Sequence, residues 1–293
     1  MATKNKPGRK GVRRPPTTAG GRRSRPFNKG NGRPGGSSAK KKSTDWDQAA
    51  RWYDALVGQD GSDYQRDIIM PGAYRLLDMK KGRKVLDLAC GQGVFSRFLS
   101  QKGLKVTGLD ASDSLIQCAK TRSHPSLAFH NADAAGEKSL QGETFDGIVC
   151  LMAVQNMEQL EPVFRNISRW LVPGGRFVMV MMHPGFRIPR QSHWGWDEEK
   201  KLEYRRVDLY LTETSIPIFT PPMRTEGPYT WTYHRPLHSY FDALLGAGLQ
   251  VSRFEEWASN KKSQPGKRAK AENRARQEIP LFLAMAADKP KEA

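Results

Sequence analysis

The sequence predicts an α/β fold in which helices cover both faces of a mostly parallel sheet. Short runs rich in Val, Ile, Leu and Phe alternate with segments whose apolar residues recur every three or four positions. The first of these runs leads into Gly91-Gln92-Gly93, which is typical of a tight turn between a buried strand and a helix. Strands that alternate with helices indicate a parallel sheet, because each helix carries the chain back to the same edge.

Five strand candidates form the predicted central sheet, and two more lie near the end of the chain. They are Lys84–Ala89, Lys105–Leu109, Leu127–His130, Phe145–Leu151 and Arg176–Met182, followed by Leu249–Phe254 and Ile279–Ala286. Ser112 is a predicted helix N-cap, and Pro173-Gly174-Gly175 is a predicted turn into the fifth strand. The link between the last two strands is rich in Lys and Arg and is predicted to be a mobile basic loop.

The first 43 residues differ sharply in composition from the rest of the chain. They contain fourteen of the 48 Lys and Arg residues, no Asp or Glu, and Phe27 as the only aromatic residue. Most of the net charge of +18 therefore lies there. Such a segment cannot bury enough apolar surface to offset its ordering entropy, so we predict that it is disordered. It is either a solubilising spacer, an arm that binds nucleic acid or ribosomes through phosphate contacts, or, less favoured, a transit peptide.

Residues 44–293 are predicted to form one domain. Its parts are a helical cap (44–82), a ligand-binding core (83–182), an insertion or lid rich in aromatic residues (183–235), and a C-terminal helix with two strands (236–293). The three cysteines are too few and too scattered for a disulfide framework or a zinc site, so we expect no metal. No apolar run reaches the length needed to span a membrane, and we expect a soluble, cytoplasmic protein.

The most informative segment runs from Val85 to Gly93 and reads VLDLACGQG. A dinucleotide-binding turn would have the form G-x-G-x-x-G, but Ser96 occupies the position of the third glycine. The segment instead resembles the first motif of class I S-adenosylmethionine-dependent methyltransferases, in which an acid, here Asp87, precedes small residues and Gly-x-Gly. The family most often has glycine where this chain has Ala89.

Further segments continue this resemblance as far as Met182. It implies that Asp110, at the end of the second strand, binds the ribose hydroxyls of S-adenosylmethionine, and that Asp133 and Ala134 accommodate the adenine. Phe145-Asp146-Gly147-Ile148-Val149 resembles the fourth strand of the family. Together, the implied cofactor-binding residues are Asp87, Ala89, Cys90, Gly91, Gln92, Gly93, Asp110, Ala111, Asp133, Ala134 and Leu151.

Methyl transfer from a sulfonium requires alignment more than acid–base chemistry, so few catalytic residues are expected. His183, just after the fifth strand, is the best candidate for a general base, or it only hydrogen-bonds its loop. His193 and His234 are weaker candidates. Two sets of side chains are proposed to contact ligands: an aromatic wall of Tyr53, Trp194, Trp196, Tyr229, Trp231 and Tyr233, and arginines suited to an acidic acceptor, namely Arg187, Arg190, Arg205, Arg206 and Arg235. Both sets could instead be ordinary packing or surface ion pairs.

The function predicted from these features is methylation of a small organic acceptor. An RNA- or ribosome-associated methyltransferase, anchored by the basic tail, is the main alternative. A cofactor-binding protein without turnover and an NAD-dependent reductase are less favoured. Cys150 lies inside an apolar strand, without a preceding proline, so it is predicted to be a core thiol and not the nucleophile of a cytosine methyltransferase.

Overall fold

The structure is a computed structural model that describes residues 45–221 and 226–291. The predictions made for residues 1–43 therefore lie outside the described residues. Within the described ranges, no helix is long and apolar enough to cross a bilayer.

A seven-stranded sheet forms the centre of the described residues. Its strands are β1 (Lys84–Leu88), β2 (Lys105–Asp110), β3 (Ala128–Asn131), β4 (Phe145–Leu151), β5 (Leu171–Met182), β10 (Gln250–Trp257) and β11 (Phe282–Asp288). The order across the sheet is β10-β11-β5-β4-β1-β2-β3. The five strands from β3 to β5 are parallel, and β10 and β11 are antiparallel to their neighbours. The predicted parallel α/β sheet is confirmed.

Helices pack on both faces of this sheet, as predicted. They are α1 (Asp45–Val57), α2 (Met70–Leu77), α3 (Val94–Gln101), α4 (Asp113–Arg122), α5 (Leu160–Trp170), α6 (Leu237–Gly246) and α7 (Ala269–Glu278), with a π-helical turn at Gln65–Ile69 and a 3₁₀ turn at Val154–Asn156. Two large apolar clusters result. Leu77 and Leu99 belong to the one on the α2–α3 face, and Phe164, Trp170 and Tyr240 to the one on the α5–α6 face.

The segment after β5 contains two hairpins that the sequence analysis did not predict. They pair β6 (Ser192–Asp197) with β7 (Leu202–Val207), and β8 (Thr214–Phe219) with β9 (Tyr229–His234). These strands are only partly buried, so polar, charged and aromatic residues are mixed along them. Their sequences therefore lack the strict apolar alternation that identifies a half-buried strand.

Two other predictions were wrong in detail. The link predicted as a mobile basic loop contains α7, whose only buried residue is Ala275, so no apolar stripe marks it in the sequence. Its Ala, Arg, Lys, Glu and Gln residues favour a helix even without such a stripe. The other is the start of β5, which was predicted at Arg176 and lies at Leu171. The predicted turn Pro173-Gly174-Gly175 is present as an excursion within β5, because the pairing with β4 passes from Phe145 and Leu171 directly to Gly147 and Arg176.

The helical cap docks onto the end of β10 through a contact that requires glycine. A Cβ atom added at Gly72, in α2, would lie 2.4–2.9 Å from three ring carbons of Trp257. The Trp257 ring is held in place, because its Nε1 donates a hydrogen bond to Glu255 Oε2 at 2.8 Å. An alanine at position 72 would therefore push α2 away from β10.

We predict that Gly72→Ala lowers the free energy of unfolding by about 1–3 kcal/mol, the usual effect of overpacking. Gly246→Ala is the matched control, because it is also helical and no atom lies within 4 Å of the added Cβ. Urea unfolding of both variants tests this. Equal stability of the two variants would contradict the proposed contact.

Candidate functional site

A cavity of about 920 Å³ opens at the carboxyl ends of the parallel strands. It lies where β1 pairs with β2 on one side and with β4 on the other, which is the point in such sheets where ligands bind. Residues at the ends of β1, β2, β3 and β4 form its floor. Residues of α1, β5, β9 and β11 form much of its wall, together with residues around the π-helical turn and the 3₁₀ turn.

The turn after β1 has the backbone conformation that a close approach to a ligand requires. Ala89, Gly91 and Gly93 all have positive φ angles, of 55°, 55° and 77°. A Cβ at Gly91 would lie 3.2 Å from the Tyr53 ring, and one at Gly93 would lie 3.0 Å from the Phe129 ring. The left-handed φ of Ala89 gives a physical reason for the glycine that the resembling family most often has there. Ala89 and Gly91 line the cavity, whereas Gly93 packs beneath it.

Asp110 holds this turn against the end of β2. Its Oδ2 accepts a hydrogen bond from the Gly91 N–H, and its Oδ1 accepts one from the Ser112 N–H, both at 2.8 Å. Burial raises the pKa of Asp110, and the two backbone N–H donors act in the opposite direction. Asp110 and its neighbour Ala111 both line the cavity, so the structure brings these predicted residues to the site.

Asp87 lies beneath the turn instead of lining the cavity. Its Oδ2 accepts a hydrogen bond from the Ser96 hydroxyl at 2.6 Å, which joins β1 to the first turn of α3. Burial raises the pKa of Asp87 to about 7, and the nearby negative charge of Asp110 adds to this effect. Ser96, which breaks the dinucleotide pattern, is therefore the partner of the acid that the methyltransferase motif contains.

The side chains of Gln92 and Cys90 also point away from the cavity. Gln92 donates to the Gly58 carbonyl oxygen at 2.6 Å and accepts from Arg122 at 2.9 Å, so it joins the turn to the helical cap. Cys90 packs beside Gly108, and burial raises the pKa of its thiol. Only the backbone atoms of Gln92 and Cys90 are therefore available to contact a ligand. The cofactor-binding roles of these two residues stay predictions.

The turn after β3 brings the predicted adenine-binding residues to the cavity. Asp133 Oδ1 accepts a hydrogen bond from the Ala135 N–H at 2.9 Å, which fixes the carboxylate in an Asx turn. The Ala134 carbonyl oxygen accepts from Asn166 Nδ2 at 2.8 Å, so α5 supports the same turn. Asp133, Ala134 and, after β4, Leu151 all line the cavity.

The remaining wall of the cavity is mostly apolar and aromatic. Of the predicted aromatic wall, Tyr53, Trp231 and Tyr233 line the cavity. Burial raises the pKa of Tyr53 to about 12, so its phenol stays protonated at neutral pH. Tyr229 is 40% exposed and packs edge-on against Trp231. Trp194 and Trp196 do not line the cavity and instead contact Arg187 and Arg268, respectively.

Several cavity residues were not predicted from the sequence. They include Trp46, Tyr64, Asn156, Met157 and Phe282. Trp46 contacts the Tyr53 ring edge-on at 5.6 Å, and Asn156 Oδ1 accepts a hydrogen bond from the Thr232 hydroxyl at 3.3 Å. The helical period of α1 already included Trp46, but the contact between α1 and β9 that encloses the cavity is not encoded in any local pattern.

His183 is buried outside the cavity, with only 2% of its surface exposed. Its Nδ1 accepts a hydrogen bond from the Gly185 N–H at 3.1 Å, and its Nε2 lies 2.7 Å from Glu256 Oε1. Both ring nitrogens thus contact protein groups, and the imidazole joins the end of β5 to β10. His193 is exposed, and His234 bonds to the Tyr210 carbonyl oxygen. This geometry favours a structural role for His183 over the predicted role as a base.

No group of three or more His, Cys, Asp or Glu side chains in the described residues is arranged to hold a metal ion. Cys150 is a fully buried core residue of β4, as its sequence context predicted.

The sheet order, the acid-Gly-x-Gly turn and the acid after β2 together define a class of protein. The chain contains a class I S-adenosylmethionine-dependent methyltransferase domain, and residues 86–179 match a family model described as a methyltransferase domain. A crystal structure of an S-adenosylmethionine-dependent methyltransferase from Mesorhizobium loti is 25% identical, with a TM-score of 0.62. That match covers 79% of this chain and all of the other. A crystal structure of an S-adenosylmethionine-dependent methyltransferase from Listeria monocytogenes shares the fold, with 23% identity and a TM-score of 0.59. That match covers 75% of this chain and 97% of the other.

Curated relatives match over part of the chain. The ubiquinone biosynthesis O-methyltransferase of Coxiella burnetii is 29% identical over 109 residues, which are 36% of this chain and 47% of that protein. The demethylmenaquinone methyltransferase of Tropheryma whipplei is 29% identical over 116 residues, which are 38% of this chain and 47% of that protein. The chain thus spans about half the length of the curated relatives it matches.

We predict that His183→Ala destabilises the fold by about 1–3 kcal/mol at neutral pH without changing S-adenosylmethionine affinity. Burial lowers the pKa of His183, so the folded state binds a proton less readily than the unfolded state. The free energy of unfolding of the parent should therefore decrease as the pH falls below about 6.5. The difference in this free energy between the parent and the variant should then become smaller. Urea unfolding at about pH 7.5 and about pH 5 tests this.

The exposed His238, changed to alanine, provides the control for loss of an imidazole that is not buried. An unchanged stability of His183→Ala, together with a large loss of turnover, would instead support His183 as the general base.

Proposed function

We propose that this protein transfers the methyl group of S-adenosylmethionine to a small organic acceptor. The observation that carries the proposal is one continuous cavity that extends from Asp110 and Asp133 on the sheet edge to the aromatic residues of α1 and β9. Its volume is within the range of pockets that hold small ligands. One end has the polar groups of a cofactor site, and the other end is an apolar wall.

The residues at the sheet edge suit the cofactor chemically. Each Asp110 oxygen accepts one backbone hydrogen bond and keeps a lone pair with which to accept another from a ribose hydroxyl. Asp133 can accept from an exocyclic amine, and the small Ala134 leaves room for an adenine ring. The aromatic faces of Tyr53 and Trp231 suit a sulfonium by cation–π attraction. When bound, S-adenosylmethionine supplies an activated methyl group.

The other end of the cavity suits a small, largely apolar acceptor. Leu56, Met157, Met182 and Phe282 contribute apolar surface, and Trp231 and Tyr233 contribute flat aromatic surface. Two curated relatives are named for ubiquinone biosynthesis and for demethylmenaquinone, so their names are consistent with such an acceptor class. The contact between α1 and β9 narrows the cavity to a form better suited to a small molecule than to a folded RNA or protein.

The proposed mechanism depends on alignment and on exclusion of water. The enclosing side chains Trp46, Tyr53 and Trp231 hold the acceptor against the methyl group and displace solvent, which favours in-line displacement. We assign no proton transfer to His183, because its imidazole lies outside the cavity. An acceptor that needs no deprotonation, or one that is already deprotonated when it binds, fits this arrangement.

Residues 44–293 are proposed to act as one catalytic unit, with residues 183–235 forming part of the acceptor site. For residues 1–43 we retain two alternatives, a spacer and an arm that binds nucleic acid or ribosomes. The second alternative would make the protein an RNA- or ribosome-associated methyltransferase. We propose a cytoplasmic location. A cofactor-binding protein without turnover is the remaining alternative, and a test for product distinguishes it.

The experiment that tests the function follows methyl-labelled S-adenosylmethionine into a cell extract. The full chain and a variant that lacks residues 1–43 are compared, and the extract is separated into RNA, protein and small-molecule fractions. We predict label in the small-molecule fraction with both proteins, because the cavity and not the tail selects the acceptor.

Label in RNA or ribosomal protein that is lost with residues 1–43 would establish the tail-anchored alternative. The absence of transfer to any fraction, with S-adenosylmethionine binding retained, would indicate a binding protein without turnover.

A further inference from the structure

Two arginines of the insertion share one aromatic ring. The guanidinium carbon of Arg187 lies 5.0 Å from the centroid of the Trp194 ring, and that of Arg205 lies 5.1 Å from the same centroid. Trp194 and Arg205 are opposite each other in the β6–β7 pairing, and Arg187 lies in the turn after β5. Cation–π attraction to Trp194 thus holds two positive charges close together.

These two charges lack acidic partners in the described part of the chain. Other arginines around the insertion do have partners: Arg206 pairs with Asp208, Arg268 with Glu198, and Arg190 donates to the Pro217 carbonyl oxygen. Neither Arg187 nor Arg205 forms an ion pair with any described residue. An uncompensated pair of like charges is unfavourable for folding, and a structural role would not require it.

Arg187 and Arg205 differ in how many of their guanidinium N–H groups donate hydrogen bonds within the protein. Arg205 Nε donates to the Phe186 carbonyl oxygen at 2.9 Å, and its Nη2 donates to Ser192 Oγ at 2.8 Å, so this guanidinium is fixed. Arg187 makes no side-chain hydrogen bond within the described residues, and its Nε is buried without a partner. Burial, with repulsion from Arg205, lowers the pKa of Arg187 to about 10, so it is still charged at neutral pH.

The backbone of Arg187 is one turn of chain away from Met182, a residue at the apolar end of the cavity. The Arg187 backbone N–H donates to the His183 carbonyl oxygen at 2.8 Å, and His183 directly follows Met182. The Tyr64 phenol is close enough to influence the pKa of Arg187, and Tyr64 also lines the cavity. The hydroxyl group of Tyr64 bonds to Ser259 Oγ at 2.9 Å, and its ring packs on Phe282.

We propose that Arg187 and Arg205, supported by Trp194, form a binding site for an oxyanion, a carboxylate or a phosphate, carried by the methyl acceptor. This proposal rests on the proposed function and deepens it by naming a charge class for the acceptor. Arg205 and Trp194 orient the site, and Arg187 supplies the free donors. A planar guanidinium matches carboxylate and phosphate oxygens in pairs, which explains why arginine and not lysine occupies these positions.

The test uses inorganic phosphate and benzoate as probes in isothermal titrations of the full chain, at constant ionic strength in chloride. Benzoate adds a flat apolar ring to a carboxylate, so it tests the carboxylate source, and phosphate tests the other. We expect saturable binding of at least one anion, and at least a tenfold increase in its Kd for Arg187→Met. Arg268→Met is the matched control, because Arg268 also stacks on a tryptophan but pairs with Glu198, and this variant should bind like the parent.

Two further measurements separate this site from the fold and from the cofactor site. In chloride, Arg187→Met should be as stable as the parent or more stable, because it removes an uncompensated charge. The S-adenosylmethionine affinity of Arg187→Met should equal that of the parent. If the parent itself does not bind S-adenosylmethionine, that result counts against the proposed function and not against the anion site.

The proposal is overturned if neither anion binds the parent saturably, if Arg187→Met binds the anion like the parent, or if Arg268→Met loses binding to the same extent as Arg187→Met. It is also overturned if Arg187→Met is destabilised in chloride and binds the anion like the parent, since the stacked arginine would then be structural.

Discussion

The site depends on one carboxylate and the two backbone N–H groups that it accepts from. Asp110 joins the turn after β1, through Gly91, to the start of α4, through Ser112. Ser112 in turn caps α4 by accepting from the Leu115 N–H, and its hydroxyl donates to Asp47 of α1 at 2.7 Å. The same group of bonds therefore sets the floor of the cavity and brings the helical cap to its edge.

A second set of contacts ties the cap to the turn from the other side. Gln92 bonds to Gly58 at the end of α1 and to Arg122, and Arg122 pairs with Asp54 at 2.6 Å. Because these polar groups are satisfied by one another, they can be buried without a large desolvation cost. The cap is thus held at both Asp47 and Asp54, and Tyr53 lies between these anchors, against Gly91. A rigid cap of this kind suits an enzyme that works by alignment.

The sequence predicted the central sheet well, because each parallel strand is an apolar run that needs no distant information. The predicted bounds of β1, β2 and β4 agree with the structure to within one residue. The lid hairpins and α7 were missed, because their residues are half-exposed and have no regular apolar period. For the same reason, the aromatic residues that line the cavity could not be separated from those that pack on arginines. Trp231 and Trp194 both lie among polar and aromatic residues in the sequence. In the structure, however, Trp231 lines the cavity and Trp194 contacts Arg187.

The site residues, too, could be predicted only where local sequence determines their position. The resemblance located Asp110, Asp133 and Gly91 because strand ends in a parallel sheet meet at one edge. It could not show that Gln92 and Cys90 turn their side chains away from the cavity, since side-chain direction in a turn depends on neighbours distant in the sequence. His183 also follows a strand, but β10 supplies Glu256 as a partner for its imidazole and draws it out of the site.

The central claim is that Asp110 organises a binding site for S-adenosylmethionine, and the most direct measurement is the affinity of that compound for Asp110→Ala. Isothermal titration of the parent should show saturable binding, and the variant should bind at least about tenfold more weakly, because it lacks both the acceptor for the ribose and the support of the turn. Asp78→Ala, which removes an exposed carboxylate at the end of α2, should bind like the parent. Equal affinity of the parent and a folded Asp110→Ala, or no saturable binding by the parent, would contradict the account.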